Sequence, residues 1–296
     1  GHNAILNAAS KWVLYSHVGP EVARGLAIEV SRKFYSLKLN ETISLVLYEG
    51  AEPAQGDSSS LQKGLVMFHK ARPLCGEGVG FGVPAVEYLD QVLFSTSANV
   101  RATKGELIKN FWIDAMPRIT WTKFTIDSSP YLVLQRRLDN MYRTDRKSRL
   151  LLTYMMKLQP LLGVKLSFQK IARRGFVEVK YSLSGRDVSV RVDSAKLSDR
   201  KFKRLLVFSE QSASFDTYKD NLGTLRNRDI GVWEEVKSRR VCLTNEESNV
   251  TFCVEDICGT KLYRGRELLK PRLDWAGFCY SIPAHQQCFS YTIRIT

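Results

Sequence analysis

The sequence predicts a mainly β protein, a large antiparallel two-sheet supersandwich with a short helical insertion near residues 130–160. Three observations predict it. Apolar and polar residues alternate with period two through most of the chain, the signature of strands with one buried face. Gly, Pro, Asn, Asp and Ser punctuate those runs at short intervals. Long crossover segments are few, so neighbouring strands should pair antiparallel and the sheets should pack face to face. The 296 residues are read as a single domain, 1–296, long enough to bury a substantial core.

Trp12–Tyr15 opens in strand-like fashion, and the stretch from Pro20 to Val30 fits a short helix or a strand equally. Tyr35–Glu49 alternates as strands, a turn-rich loop follows over 50–60, and Gly64–Lys70 is a further strand. Segment 72–98 is the most unusual part of the chain: Gly76, Gly78, Gly80 and Gly82 alternate with Glu77, Val79 and Phe81. In an extended chain that spacing leaves one face bare. Either a ligand or another backbone packs directly on this strip, or the glycines loosen a loop or a sheet bend. Residues 85–98 then alternate like a hairpin turning near Leu89 and Asp90. Leu107–Ile113 and Arg118–Asp127 read as two more strands.

Helix is signalled by Ser128-Ser129-Pro130, a capping residue before Pro at the first helical position. Apolar residues then recur at three- and four-residue intervals, at Tyr131, Leu134, Leu138 and Met141 and again at Leu150, Tyr154 and Leu158. A buried strand pair competes, because short apolar runs do not separate the two by periodicity. From Val164 onward strand follows strand to Ile295, with a hairpin over 175–193 turning at Ser184-Gly185.

The net charge is +14, from 44 Lys plus Arg against 30 Asp plus Glu, which predicts attraction to polyanions at low salt. The basic residues are spread along the chain without a basic tail or a standard nucleic-acid-binding signature, so nucleic acid is not the favoured partner. No apolar run approaches the roughly 20 residues that span a bilayer, and membrane insertion is not expected. The opening GHNAILNAAS lacks an initiating Met and reads as an expression scar joined to a trimmed start, which leaves the compartment open. Oligomeric state is equally open.

Of the six cysteines, five fall after residue 240; Cys253 and Cys258 have four residues between them and no close His. That is not zinc spacing, so neither a metal nor any other cofactor is expected. Buried thiols and one or two disulfides are both compatible with the pattern.

Five stretches of the final third share a texture of long antiparallel strands with aromatics at the bends: IGVWEEV (230–236), TFCVED (251–256), RGRE (264–267), LDWAGFCYSI (273–282) and FSYTIRI (289–295). In this texture the chain resembles the galactose mutarotase-like supersandwich class, a fold used by carbohydrate-handling enzymes. The resemblance implies the fold and a carbohydrate as partner. The His-centred loop of those mutarotases has no counterpart in this sequence.

Candidate chemistry follows from residue types. His69 and Glu77 form a candidate acid/base pair, and Glu210 and Glu267 are alternative bases, since proton transfer at a sugar needs a group that titrates near neutrality or a placed carboxylate. Trp121, Trp233, Trp275, Tyr218 and Tyr263 are candidates for a stacking platform, although aromatics at such positions commonly serve the core. Arg118, Arg264 and Arg266 could clamp a carboxylate or sulfate with two parallel N–H bonds. The function read from the sequence is therefore a carbohydrate-binding or carbohydrate-active protein. An acidic saccharide is favoured by the charge, with proton transfer of epimerase, hydrolase or lyase type if it is an enzyme. The competing reading is a non-catalytic β-sandwich that binds a polyanion such as nucleic acid or serves as an interaction module.

Overall fold

The computed structural model describes residues 12–15, 34–50, 61–88, 91–103, 105–121, 124–126, 165–199, 201–269 and 273–296. The helix expected near 130–160, the segment 20–30, and the turn at Leu89 and Asp90 lie outside the described residues.

The first five strands are β1 (Trp12–Tyr15), β2 (Phe34–Lys38), β3 (Ile43–Tyr48), β4 (Val66–His69) and β5 (Arg72–Pro73). They form an antiparallel sheet in chain order. The next group is β6 (Gly80–Glu87), β7 (Val92–Thr103), β8 (Glu106–Trp121), β9 (Phe124–Ile126), β10 (Lys165–Lys170), β11 (Phe176–Ser184), β12 (Asp187–Asp193) and β13 (Arg204–Gln211). The last group is β14 (Thr217–Lys219), β15 (Thr224–Arg226), β16 (Glu234–Glu235), β17 (Arg240–Asn245), β18 (Val250–Glu255), β19 (Lys261–Leu269), β20 (Leu273–Pro283) and β21 (Cys288–Ile295). These sixteen make one sheet in the order β15-β14-β17-β18-β21-β12-β11-β8-β7-β6-β13-β20-β19-β16, with β9 and β10 also pairing to β8.

That long sheet folds back on itself at β7. Val92 and Leu93 pair with β6, whereas the rest of the strand from Phe94 onward pairs with β8, and the register slips between Phe94 and Ser95 and again between Ser95 and Ser97. Extra residues in one strand bend it and raise its twist, which is how a strand passes from one layer to another. The bend is held by buried Asp114, whose Oδ1 accepts from the Thr96 N–H at 2.8 Å and the Thr96 hydroxyl at 3.0 Å. The Ser97 hydroxyl donates to its Oδ2.

Across the fold, β6, β13, β20 and β19 face β11, β21 and β18, and the core lies between the two halves. Phe252 of β18 meets Phe81 of β6 at 5.1 Å and Phe278 of β20 at 5.7 Å, edge to face in both pairs. Aromatic pairs prefer these tilted geometries because the ring edge is positive and the face negative. Buried polar atoms are matched across the same gap: the Tyr181 hydroxyl donates to the Phe81 carbonyl at 2.9 Å, and Ser209 Oγ shares a 2.7 Å hydrogen bond with the Tyr291 hydroxyl.

The alternation that predicted strands holds in detail. In β11 Val177, Val179 and Tyr181 are buried while Glu178 and Lys180 face outward, and Ser184 pairs with Asp187 around Gly185 at φ 63°. One expectation is corrected. The strand read as Leu107–Ile113 and the first part of the one read as Arg118–Asp127 are joined into the sixteen-residue β8, which runs through Pro117 opposite Phe168, while Phe124–Ile126 of the second forms β9 and pairs back antiparallel on Ile119–Trp121. Proline stops a helix reliably, but a strand tolerates it where the missing N–H is not required by the ladder.

Cys242 and Cys253 stand opposite each other on β17 and β18 and form a disulfide. Cys75 and Cys279 are buried thiols, and Cys258 and Cys288 are exposed ones.

Candidate active site

Four strands, β6, β13, β20 and β19, build the site on the outward face of one half of the sandwich. In β13 the inward positions Leu205, Val207 and Ser209 leave Phe208 and Glu210 to the other face. Glu210 is opposite Gly80 on β6 and Gly277 on β20, and Gly277 is in turn opposite Gly265 on β19. Two glycines thus flank one carboxylate, and a third extends the row to the fourth strand. A Cβ on Gly277 would come within 2.3 Å of the Ser209 carbonyl oxygen and 3.0 Å of Glu210 Cγ, so the Glu210 side chain lies over that glycine. A Cβ on Gly265 would meet the Trp275 ring at 2.8 Å and the Trp233 nitrogen at 2.9 Å, so Trp275 lies over the next one.

The hollow above this lane has a volume of about 340 Å³ and is lined by Gln62, Glu210, Trp233, Glu267 and Trp275 among apolar neighbours that include Phe208, Val79 and Val83. Trp233 and Trp275 stack with ring centroids 4.6 Å apart and planes inclined by 15°. Phe208 meets Trp233 edge to face at 5.5 Å. Trp233 adopts φ 53°, a left-handed conformation unusual for so bulky a residue. Such strain costs on the order of 1–3 kcal/mol and persists only where the surroundings enforce it. Here the segment before it is tied to β19: the Arg266 N–H donates to the Gly231 carbonyl at 2.9 Å and Arg264 Nε to the Ile230 carbonyl at 3.1 Å.

Glu210 is 7% exposed, and its Oε2 accepts from the Val79 N–H at 3.2 Å. Burial pushes its carboxyl up to about 7, with the Glu267 charge adding to the rise and the Val79 N–H and Lys63 opposing it. A carboxyl poised there exchanges its proton readily near neutrality, the property required of a general acid or base. Gln62 is fixed on the facing wall. Its side-chain NH2 donates to the Thr96 carbonyl at 3.0 Å, and its backbone N–H donates to Ser95 at 2.9 Å. Its Oε1 is buried without a hydrogen-bond partner among the described residues.

Of the residues singled out in the sequence, the structure brings together Glu210, Glu267, Trp233 and Trp275. His69 ends β4 in the smaller sheet, paired with Ile43 and Arg72, and does not line the hollow. Glu77 sits in the turn before β6, where its N–H donates to the Asp274 carbonyl at 2.8 Å, also outside the hollow. Tyr218 is buried; its hydroxyl donates to Asp220 at 2.7 Å and its ring lies 4.5 Å from the Arg264 guanidinium. Arg266 donates to the Ala213 carbonyl at 2.7 Å. Tyr263 is half-buried on β19, opposite Cys279, and does not line the hollow. Arg118 and Trp121 occupy positions on β8 opposite Ser167 and Phe124, and their side chains lie outside the described part of the structure.

The glycine strip is packed by backbone: Cβ atoms on Gly78 and Gly80 would come within 2.6 Å of the Gln211 carbonyl and 2.9 Å of the Leu65 carbonyl. Its contribution to the site is the Val79 N–H. Sequence reasoning missed Gln62 and Phe208. It also missed the cross-strand match of the glycines in RGRE and WAGF, a signal that was present as one glycine centred in each of two strands.

No protein-family model and no curated protein matches the sequence. Among solved structures the chain is similar to HI1317, at 6% identity over 97% of this chain and all of that one, with a TM-score of 0.35. It is similar to the Slr1438 protein from Synechocystis sp. PCC 6803, at 10% identity over 92% of this chain and 99% of that one, with a TM-score of 0.36. It is also similar to a galactose mutarotase related enzyme from Lactobacillus acidophilus, at 9% identity over 89% of this chain and 97% of that one, with a TM-score of 0.33. Among the described residues no cluster of metal-ligating side chains occurs, and no helix is long and apolar enough to cross a membrane.

Proposed function

We propose that the protein binds a saccharide in the Trp233–Trp275 hollow and transfers a proton at the bound sugar through Glu210. The observation that carries this reading is a stacked indole pair and a buried carboxyl raised to about 7 sharing one hollow. Indoles pack against the apolar C–H face of a pyranose, and carboxylates and amide oxygens take hydrogen bonds from its hydroxyls. The hollow falls at the small end of ligand pockets, which suits one sugar ring better than a long chain. Epimerase-type chemistry on a single ring, in which Glu210 takes a proton at one position of the sugar and a second group or water delivers one at another, therefore fits better than chain cleavage. In this scheme Glu210 exchanges the proton and Glu267 modulates it by its charge.

An acidic saccharide, expected from the net charge, gains no support from the lining. Arg264 and Arg266 are engaged elsewhere, while two carboxylates line the hollow.

The test is a monosaccharide panel followed by tryptophan fluorescence and calorimetry, with solvent-deuterium incorporation into the sugar followed by NMR. Binding by the wild type, loss in Trp233→Ala, and retained binding with lost exchange in Glu210→Gln are expected. A folded protein that binds no sugar would overturn the proposal.

A further inference from the structure

Resting on the saccharide reading of this hollow, we infer that its ligand is a sugar bearing an apolar group, a deoxy sugar or an alkyl glycoside, whose apolar end lies against Val83 and Phe208 while its hydroxylated end meets Glu210. The placement of Val83 leads there. Period-two alternation would set Phe81 and Val83 on one face of β6, yet they lie on opposite faces. Phe81 is opposite inward Ser209 and meets Phe252 at 5.1 Å, whereas Val83 is opposite Phe208 and lines the hollow. The register slips between Phe208 and Ser209, which leaves Gly82 as the extra residue, at φ 79°. An unbulged strand with Phe81 inward would present Gly82 to the hollow. The bulge presents a valine instead, and bulges beside active sites commonly re-aim a side chain in this way.

Leu61, Pro84 and Phe94 line the same hollow, so Val83 and Phe208 belong to a wall and not to an isolated apolar spot. The wall stands at a definite distance from the acid. Phe208 and Glu210 are two positions apart on one face of β13, a step of about 6–7 Å. That step matches the length of a pyranose ring with one substituent. A ring whose one end meets Glu210 therefore brings its other end to Phe208 and Val83.

The polar groups of the lining are largely engaged within the chain. The Gln62 NH2 is held by the Thr96 carbonyl, the Ser95 hydroxyl donates to the Ser97 carbonyl at 2.9 Å, and Glu210 takes the Val79 N–H. Glu267 and Trp233 have further interactions of their own. A fully hydroxylated hexose carries a hydroxyl on nearly every carbon. Any of these pressed against Val83 or Phe208 gives up its water without gaining a partner there, which is costly. A methyl or other alkyl group at that end gives up nothing and gains burial.

Calorimetric titrations of the wild type decide the matter, with glucose and galactose, the form of each with a methyl in place of the hydroxymethyl group, and the methyl glycosides of each. At least one apolar derivative should bind about tenfold or more tighter than its parent sugar. The methyl stands at opposite ends of the ring in the two kinds of derivative, so the tighter kind identifies the end that meets Val83. Val83→Thr keeps the size of the side chain and puts a hydroxyl into the wall, and it should bring the preference toward unity. Where Val83→Thr does not fold, Leu61→Asn, at a half-buried position of the same wall, is read in the same way. Parent sugars that bind as tightly as every derivative, or a wild-type preference in the folded variant, would overturn the apolar-end inference and leave the saccharide reading intact. If no sugar binds but cyclohexanol does, and that binding weakens in the variant, the apolar wall stands and the saccharide reading falls. If neither class binds to folded protein, both fall.

Discussion

Gly277 faces Glu210 directly across the β13–β20 ladder, and the room left by its missing side chain is taken up by the glutamate. The site therefore depends on an absence. Gly277→Ala would drive a Cβ to 2.6 Å from Glu210 Cα as well as against the Ser209 carbonyl, which the rigid ladder cannot accommodate by moving a flexible tip. Overpacking of this kind costs about 1–3 kcal/mol. Chemical denaturation should show that loss, and the neighbouring Ala276→Gly, which removes an inward methyl and does not touch Glu210, should leave the acid's titration unchanged. A Gly277→Ala protein as stable as the wild type would mean that the glutamate does not lie where the structure places it.

The indole pair makes a second prediction, because its two members differ in how they are held. Trp275 is 8% exposed, and truncation of so buried an aromatic to Ala costs about 3–5 kcal/mol. Trp233 is half-buried and sits at φ 53°, a conformation in which glycine is at ease. Trp233→Gly should therefore lose the platform while losing less stability than Trp275→Ala, the relief of backbone strain offsetting roughly 1 kcal/mol of the lost contact. Thermal unfolding of the two variants side by side is the measurement. The opposite order of melting temperatures would contradict the assigned backbone strain.

How far the sequence disclosed this arrangement can be read from particular residues. Period-two alternation separated inward Val177, Val179 and Tyr181 from outward Glu178 and Lys180, because burial on one face of a pleated strand is a local property. The glycine strip was legible as a place of close approach, since only a bare face permits a carbonyl within 3 Å of where a Cβ would be. What approaches it was not legible. Gln211 and Leu65 are brought there by β13 and the segment entering β4, and pairing between distant segments leaves no local trace. His69 and Glu77 lie eight positions apart in the chain, yet they fall on different elements around separate turns. Glu210 and Glu267 are fifty-seven positions apart and share one hollow, because β20 pairs with both their strands.

Glu210 also makes stability depend on pH. Its folded carboxyl, near 7, is raised above the ordinary value of 4.5, so the folded protein holds a proton that the unfolded chain has released between those limits. Where the folded state binds more protons, stability falls as pH rises. The contribution is full below pH 4.5 and is lost as pH passes through 7, with a slope of up to about 1.4 kcal/mol per pH unit. Urea denaturation at several pH values should show this slope in the wild type and not in Glu210→Gln. Parallel profiles for the two proteins would show that Glu210 titrates as an ordinary carboxyl.

Lys109 acts in the opposite direction on the other side of neutrality. It is fully buried on β8, and its Nζ donates to the Tyr48 carbonyl at 2.9 Å and the Lys63 carbonyl at 2.7 Å, joining the large sheet to segments of the smaller one. It lies 5.2 Å from the centre of the Phe111 ring. Burial lowers its ammonium from 10.5 to about 7, so between those values the unfolded chain carries a proton that the folded protein has lost. The unfolded state then binds more protons, and stability rises with pH from about 7 toward 10.5. Lys109→Met removes that rise and leaves two carbonyls without their donor, at about 1–3 kcal/mol for each one kept from water. The stability gap between wild type and Lys109→Met should therefore be open at pH 7 and widen toward pH 9, by up to about 1.4 kcal/mol per unit. Since Glu210 lowers stability on the approach to pH 7 and Lys109 raises it beyond, the two together place a minimum close to neutrality. A gap that stays constant or narrows above pH 7 would show that the Lys109 amine keeps its proton in the folded protein.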